Sequence, residues 1–150
     1  MTKAGLKEGY AFSHDQKTDS HRLSFTINGE VVGYIDAQVY VNAFDMVDYY
    51  ISKVDYQNMV GEDKPFVMIK VLHVDKKHRN NGIAGKLLGS IKKFIEESPS
   101  FTVCENIMVE VAPLESSVNT LEALVGFYKK NGYRTIGHSG NIYLMITNIK

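Results

Sequence analysis

The chain has 150 residues, 44% hydrophobic and 23% charged, enough to bury a core without metal or disulfide support. Lys and Arg number 17 and Asp and Glu 17, so bulk charge gives no reason to expect nucleic acid or a membrane as partner. One cysteine, Cys104, excludes an internal disulfide; with no apolar leader and no run of about 18 apolar residues, the expectation is one cytoplasmic domain over residues 1–150.

The first clear element is a hairpin. "RLSFTINGEVVGYIDAQVYV" alternates apolar and polar residues on both sides of "NGE", and about 20 residues precede it. Residues 43–60, "AFDMVDYYISKVDYQNMV", place Phe44, Val47, Ile51 and Val54 on one side of a predicted helix. "GEDKP" punctuates, and "FVMIKVLHV" reads as a buried central strand. From residue 82 to about 97, Ile83, Leu87, Leu88, Ile91, Phe94 and Ile95 share a face at helical spacing until "SPS" stops the helix. "NIMVEVAP" is a further strand. "SSVNTLEALVGFYKKNGY" sets Val118, Leu121, Leu124, Val125 and Tyr128 on a second helical stripe, ended by the glycine of "NGY". "RTIGHSGNIYLMITNIK" closes the chain as a hairpin turning at "SG". An exposed final strand "NIYLMITNI" would let two copies pair as a homodimer.

The balanced charge is unevenly spread. Residues 66–95 hold seven Lys or Arg against one acid, and residues 36–64 hold six acids against two lysines. Part of the basic half lies at "HRNNGIAGKLL", where a strand hands over to a helix. The first N–H groups of a helix lack intrahelical partners, and small residues let an anion approach them. The stretch is neither a Walker A loop nor G-x-G-x-x-G. On a bare "NNG" alone, a turn with solvated lysines is the better explanation.

The wider pattern decides more. "R-N-N-G-I-A" resembles the Arg/Gln-x-x-Gly-x-Gly/Ala signature of the GNAT superfamily of N-acetyltransferases. "VLHVDKKH" before it resembles that family's strand with an L-x-V step, and "GFYKKNGY" its aromatic pair followed by a Gly-aromatic step. With "MVEVAP" between them, these landmarks cover about half the chain, residues 66–138. The resemblance implies an α/β (α+β) fold with a mixed, mostly antiparallel sheet flanked by helices. It implies acetyl-CoA as co-substrate, no metal, and direct transfer in a ternary complex. The acceptor would be an amine on a small molecule, a protein lysine or a protein N-terminus.

Carried over position by position, backbone N–H groups around Arg79, Asn80, Gly82, Ile83, Ala84 and Gly85 would cradle the coenzyme A pyrophosphate. Leu72 and Val74 would pair through their backbone with the pantetheine arm where parallel strands splay. Lys76, Lys77 and Lys86 would meet the 3′-phosphate. Tyr128 would be the general acid; it serves as one only if its pKa is lowered, and otherwise donates a hydrogen bond to sulfur. Two positions depart from the family. The asparagine it usually has seven residues before the tyrosine is Leu121 here, with Asn119 nearest, and many relatives' acid on the central strand is replaced by Lys70 and Val71. The base therefore stays open between His73 and Glu110. The acceptor region, usually two helices between the first two strands, is shortened, and the 43–60 segment would compensate. Its Asp45 and Asp48, with Tyr40, Tyr49, Tyr50 and Tyr56, would suit a cationic acceptor. The other reading is a regulatory or interaction module that binds acyl-CoA without turnover.

Overall fold

The computed structural model describes residues 6–18, 20–98, 103–112 and 120–149. The first hairpin forms as its turn residues dictate. Strands β2 (Ser20–Ile27) and β3 (Glu30–Tyr40) are joined by Asn28 and Gly29, both at positive φ (52° and 83°), as a two-residue turn that continues the strand twist requires. A strand the sequence reading missed, β1 (Glu8–Asp15), runs antiparallel to β2 from Glu8↔Ile27 to Asp15↔Ser20. Its alternate aromatics hold it down: the Tyr10 ring meets Phe25 at 5.3 Å and the Phe12 ring stacks on Phe94 at 4.0 Å.

The predicted 43–60 helix is two shorter ones, α1 (Ala43–Val47) and α2 (Lys53–Met59). The cause is local. The Ser52 hydroxyl accepts the Asp55 N–H at 3.1 Å and starts a new helix, so residues 48–52 become a connector. Val54, expected on the buried face, is 64% exposed, whereas Val47 and Tyr56 are buried.

Strand β4 (Phe66–Val74) leads through a 3₁₀ turn at Lys76–His78 into α3 (Ile83–Glu97). Then come β5 (Asn106–Val111), α4 (Leu121–Lys130), β6 (Arg134–Ser139) and β7 (Ile142–Asn148). The seven strands form one sheet in the order β1-β2-β3-β4-β5-β7-β6; β4 and β5 are parallel, and the other described pairs are antiparallel. This is the mixed, mostly antiparallel sheet flanked by helices that the sequence implied. The final strand is not an edge: β7 lies between β5 and β6, so its main-chain groups are taken on both sides and the pairing route through it is closed.

The sheet carries a core on each face. Ile83, Leu87, Leu88, Ile91 and Ile95 of α3 pack on one, with Tyr128 of α4. Ala43, Val47 and Tyr56 seat α1 and α2 on the other, against Phe66 and Met68 of β4, Met108 of β5 and Leu144 of β7. Cys104 is buried, and burial raises its thiol pKa, as fits a small apolar filler.

Candidate functional site

The sheet opens between its two parallel strands. Their pairs run Val67↔Ile107, Met68↔Met108 and Ile69↔Val109 and stop there. Beyond Ile69, β4 stays with β3 as far as Gly33↔Val74, and β5 stays with β7 as far as Val111↔Tyr143. A bulge marks the departure: Ala37 pairs with Ile69 and Asp36 with Val71, leaving Lys70 without an opposite residue on β3. The Asp75 N–H donates to the Val32 carbonyl at 2.8 Å. By the alternation of an antiparallel ladder, Val71 and His73 then turn their main-chain groups toward β3, while Leu72 and Val74 turn theirs into the opening. The Val74 carbonyl accepts the Arg79 Nε–H at 3.0 Å, so the Arg79 side chain ties the turn to the strand end.

At that strand end stands the open start of α3. Asn80 and Gly82 take positive φ (67° and 76°), and Gly82 is the N-cap with no side-chain capping bond. The first intrahelical bond described here runs from the Lys86 N–H to the Gly82 carbonyl at 3.1 Å, which leaves the Ile83, Ala84 and Gly85 N–H groups outside the helical ladder. The first turn carries no acid, and a Cβ on Gly82 would meet nothing within 4 Å. This is the geometry an oxyanion needs. Lys76 and Lys77 are exposed beside it; the Lys86 ammonium is already paired with Glu8 at 3.1 Å.

The turn of α4 that carries Tyr128 lies next to this cradle. Asn131 is the contact: its Nδ2 donates to the Phe127 carbonyl at 2.8 Å, and its Oδ1 is 3.6 Å from where a Cβ on Gly85 would sit. Tyr128 is 7% exposed, flanked edge-on by Phe127 and Tyr133, and its hydroxyl has no partner among the described residues. Burial pushes it up to about 12. That is opposite to what a general acid needs and leaves Tyr128 as a hydrogen-bond donor. Asn119 lies outside the described residues.

The other face of the opening holds groups the sequence did not join. The Tyr50 hydroxyl, on the α1–α2 connector, donates to Glu110 of β5, the first residue beyond the last parallel pair. Burial and this carboxylate push Tyr50 up to about 12. The connector sits so close to β6 that a Cβ on Gly137 would be 2.4 Å from the Tyr50 carbonyl oxygen. Lys70 Nζ donates to the Tyr40 hydroxyl at 2.7 Å, so the Tyr40 ring already serves a cation of the chain itself. Tyr56 is buried in the core and Tyr49 is 79% exposed; neither joins this group. His73 lies 3.3 Å from Asp75, against the Tyr34 ring. With Tyr50 and Glu110 60 positions apart in the sequence, no local spacing signals the pair.

The sequence model of the acetyltransferase (GNAT) domain matches residues 19–135. The chain belongs to the GNAT acetyltransferase family. No curated protein matches the chain in a sequence search. Among solved GNAT-like folds, a crystal structure of a bacterial toxin overlays with a TM-score of 0.65 at 15% identity, covering 89% of this chain and 70% of that one. Arabidopsis thaliana NAA60 with a bisubstrate analogue gives 0.56 at 17% identity, over 86% of this chain and 75% of its own. The Escherichia coli ribosomal-protein-S18-alanine N-acetyltransferase gives 0.53 at 15% identity, over 86% and 68%. At these identities the overlays establish a shared GNAT fold.

Proposed function

We propose that this GNAT chain transfers the acetyl group of acetyl-CoA directly to a primary amine while both substrates are bound. The observation that carries the reading is the meeting, at one strand opening, of the uncapped α3 start with the outward backbone of Leu72 and Val74, beside which lies the end of α4 that bears Tyr128. Binding of acetyl-CoA by the similarly folded NAA60 supports it.

The chemistry assigns work to each part. The Ile83, Ala84 and Gly85 N–H groups take the pyrophosphate, Leu72 and Val74 pair with the pantetheine arm, and Lys76 and Lys77 meet the 3′-phosphate. The amine nitrogen bonds to the acetyl carbon, the C–S bond breaks, the amine gives up a proton and the sulfur ends as a thiol. An ammonium near pKa ~10.4 must lose a proton before it attacks. Glu110 is better placed than His73 to receive it, because Glu110 stands at the opening whereas His73 is directed toward Asp75. Tyr128 steadies the departing sulfur.

Titration calorimetry with acetyl-CoA tests the cradle, using wild type and Gly82→Val. A β-branched residue at φ 76° forces the α3 start to rearrange. Micromolar binding that the variant loses is the expected result; no binding at millimolar ligand overturns the proposal. The absence of an acid at Lys70 and Val71 favours a second reading, a module that binds acyl-CoA without turnover. Thiol release across an amine panel separates the two.

A further inference from the structure

We infer that the acceptor is a primary amine with an anionic group a few bonds away, held between Glu110 and Lys70; this rests on the acetyl-transfer reading above. Ile69↔Val109 is the last parallel pair, so Lys70 and Glu110 are the first residues on the two lips of the opening. They project on the same face. Lys70 bonds Tyr40 and Glu110 bonds Tyr50, and both tyrosines pack against the core beneath α1 and α2.

These opposite charges do not pair with each other. Among the described residues neither makes an ion pair with any group, although the chain readily forms such pairs elsewhere, as Arg22–Asp36, Lys64–Glu105 and Lys86–Glu8 show. Each charge at the opening is instead held by a neutral phenol. The Tyr50 phenol is fixed by the close seat of its backbone on Gly137, and the Lys70 ammonium lies 5.3 Å from the Tyr40 ring centre. A carboxylate and an ammonium kept apart on facing lips form a complement to a zwitterion. The acceptor's ammonium meets Glu110, and its carboxylate or phosphate meets Lys70. A polyamine would set a second positive charge against Lys70, so the same residue selects against polycations.

Thiol release from acetyl-CoA over matched acceptors tests this. The pairs are L-amino acids against their carboxamides, and O-phosphoethanolamine against ethanolamine, with spermidine as the polycation. Wild type is expected to favour the anion-bearing member of at least one pair by tenfold or more in kcat/KM, and which pair responds tells carboxylate from phosphate. Lys70→Met should bring that ratio close to one with the acetyl-CoA Kd unchanged, and Lys70→Glu should shift preference toward spermidine. A ratio that survives Lys70→Met overturns the inference. So does turnover of anion-free amines alone, or of no panel member, by a protein that binds acetyl-CoA. Failure to bind acetyl-CoA at all overturns the transfer reading beneath it.

Discussion

Replacing Tyr128 with Phe removes one hydroxyl and keeps the ring that packs on Phe127 and Tyr133. Burial pushes the phenol up to about 12. A thiol titrates near ~8.5, so handing the phenolic proton outright to a thiolate is uphill by roughly 3.5 units, on the order of 5 kcal/mol. A hydrogen bond to the developing thiolate carries no such cost, and one bond to a charged group contributes about 1.5–3 kcal/mol. Tyr128→Phe should therefore lower kcat by about 10- to 150-fold. The KM for acetyl-CoA should move little, because the bond strengthens only as charge gathers on sulfur. A raised pKa keeps the phenol protonated well above neutrality, so the wild-type to variant ratio should be flat from about pH 6 to about pH 10. Initial rates of thiol release at saturating acetyl-CoA across that range measure it. An undiminished kcat refutes the donor role. A basic limb near about pH 9 that vanishes in the variant refutes the reasoning on pKa, since it would mark a phenol that titrates as a true acid.

Two further outcomes concern the same aromatic cluster. The Tyr133 hydroxyl is buried without a hydrogen-bond partner among the described residues, a loss of about 1–3 kcal/mol, so Tyr133→Phe should raise the thermal midpoint by several degrees; a fall would show that the hydroxyl is satisfied. Burial raises Tyr128 to about 12 and Tyr133 higher still, so the folded state holds protons that the unfolded chain gives up near pH ~10. The stability this contributes is complete below that pH and is lost as pH rises toward 12, with Tyr128 alone accounting for about 3 kcal/mol. Denaturant midpoints at about pH 9 and about pH 11.5 should differ accordingly, and equal midpoints would contradict the burial.

The parts legible in the sequence were those encoded locally. Asn28-Gly29 has one favoured turn, and the spacing from Ile83 to Ile95 admits one buried face; both formed as read. The open α3 start was legible for the same reason, since Gly82 and its small neighbours act within one turn. β1 escaped notice because an edge strand buries one face through only a few large side chains, and Tyr10 and Phe12 are too few to stand out. The break between α1 and α2 was legible in principle: Ser52 and Asp55 in "SKVD" match the Ser-x-x-Asp start of a helix, which the run of apolar spacing masked. Tyr50 with Glu110 and Lys70 with Tyr40 were not legible, because 60 and 30 residues separate the partners and only the sheet brings them together.

That sheet also links the two halves of the site. Met68 and Met108 face each other in the parallel pairing, and their side chains enter the core that seats Val47 of α1 and Tyr56 of α2. The next pair, Ile69 and Val109, turns to the opposite face and packs with α3. The last rungs before the opening are thus clamped from one side by the helix that would carry the pyrophosphate and from the other by the helices that deliver Tyr50. With α1 and α2 placed after β3, they cover β4, β5, β7 and β6, while Arg22, Tyr34 and Asp36 on the outer strands stay at the surface, the Arg22 guanidinium 3.9 Å above the Tyr34 ring and bonded to Asp36. On the proposed reading, the acceptor side of the opening is formed by Lys70 and Glu110 together with the connector, residues 48–52, which is set by the same packed rungs that fix where β4 and β5 part. Under that reading, a change of acceptor would arise at Lys70, Glu110 or the connector while the α3 cradle stays as it is.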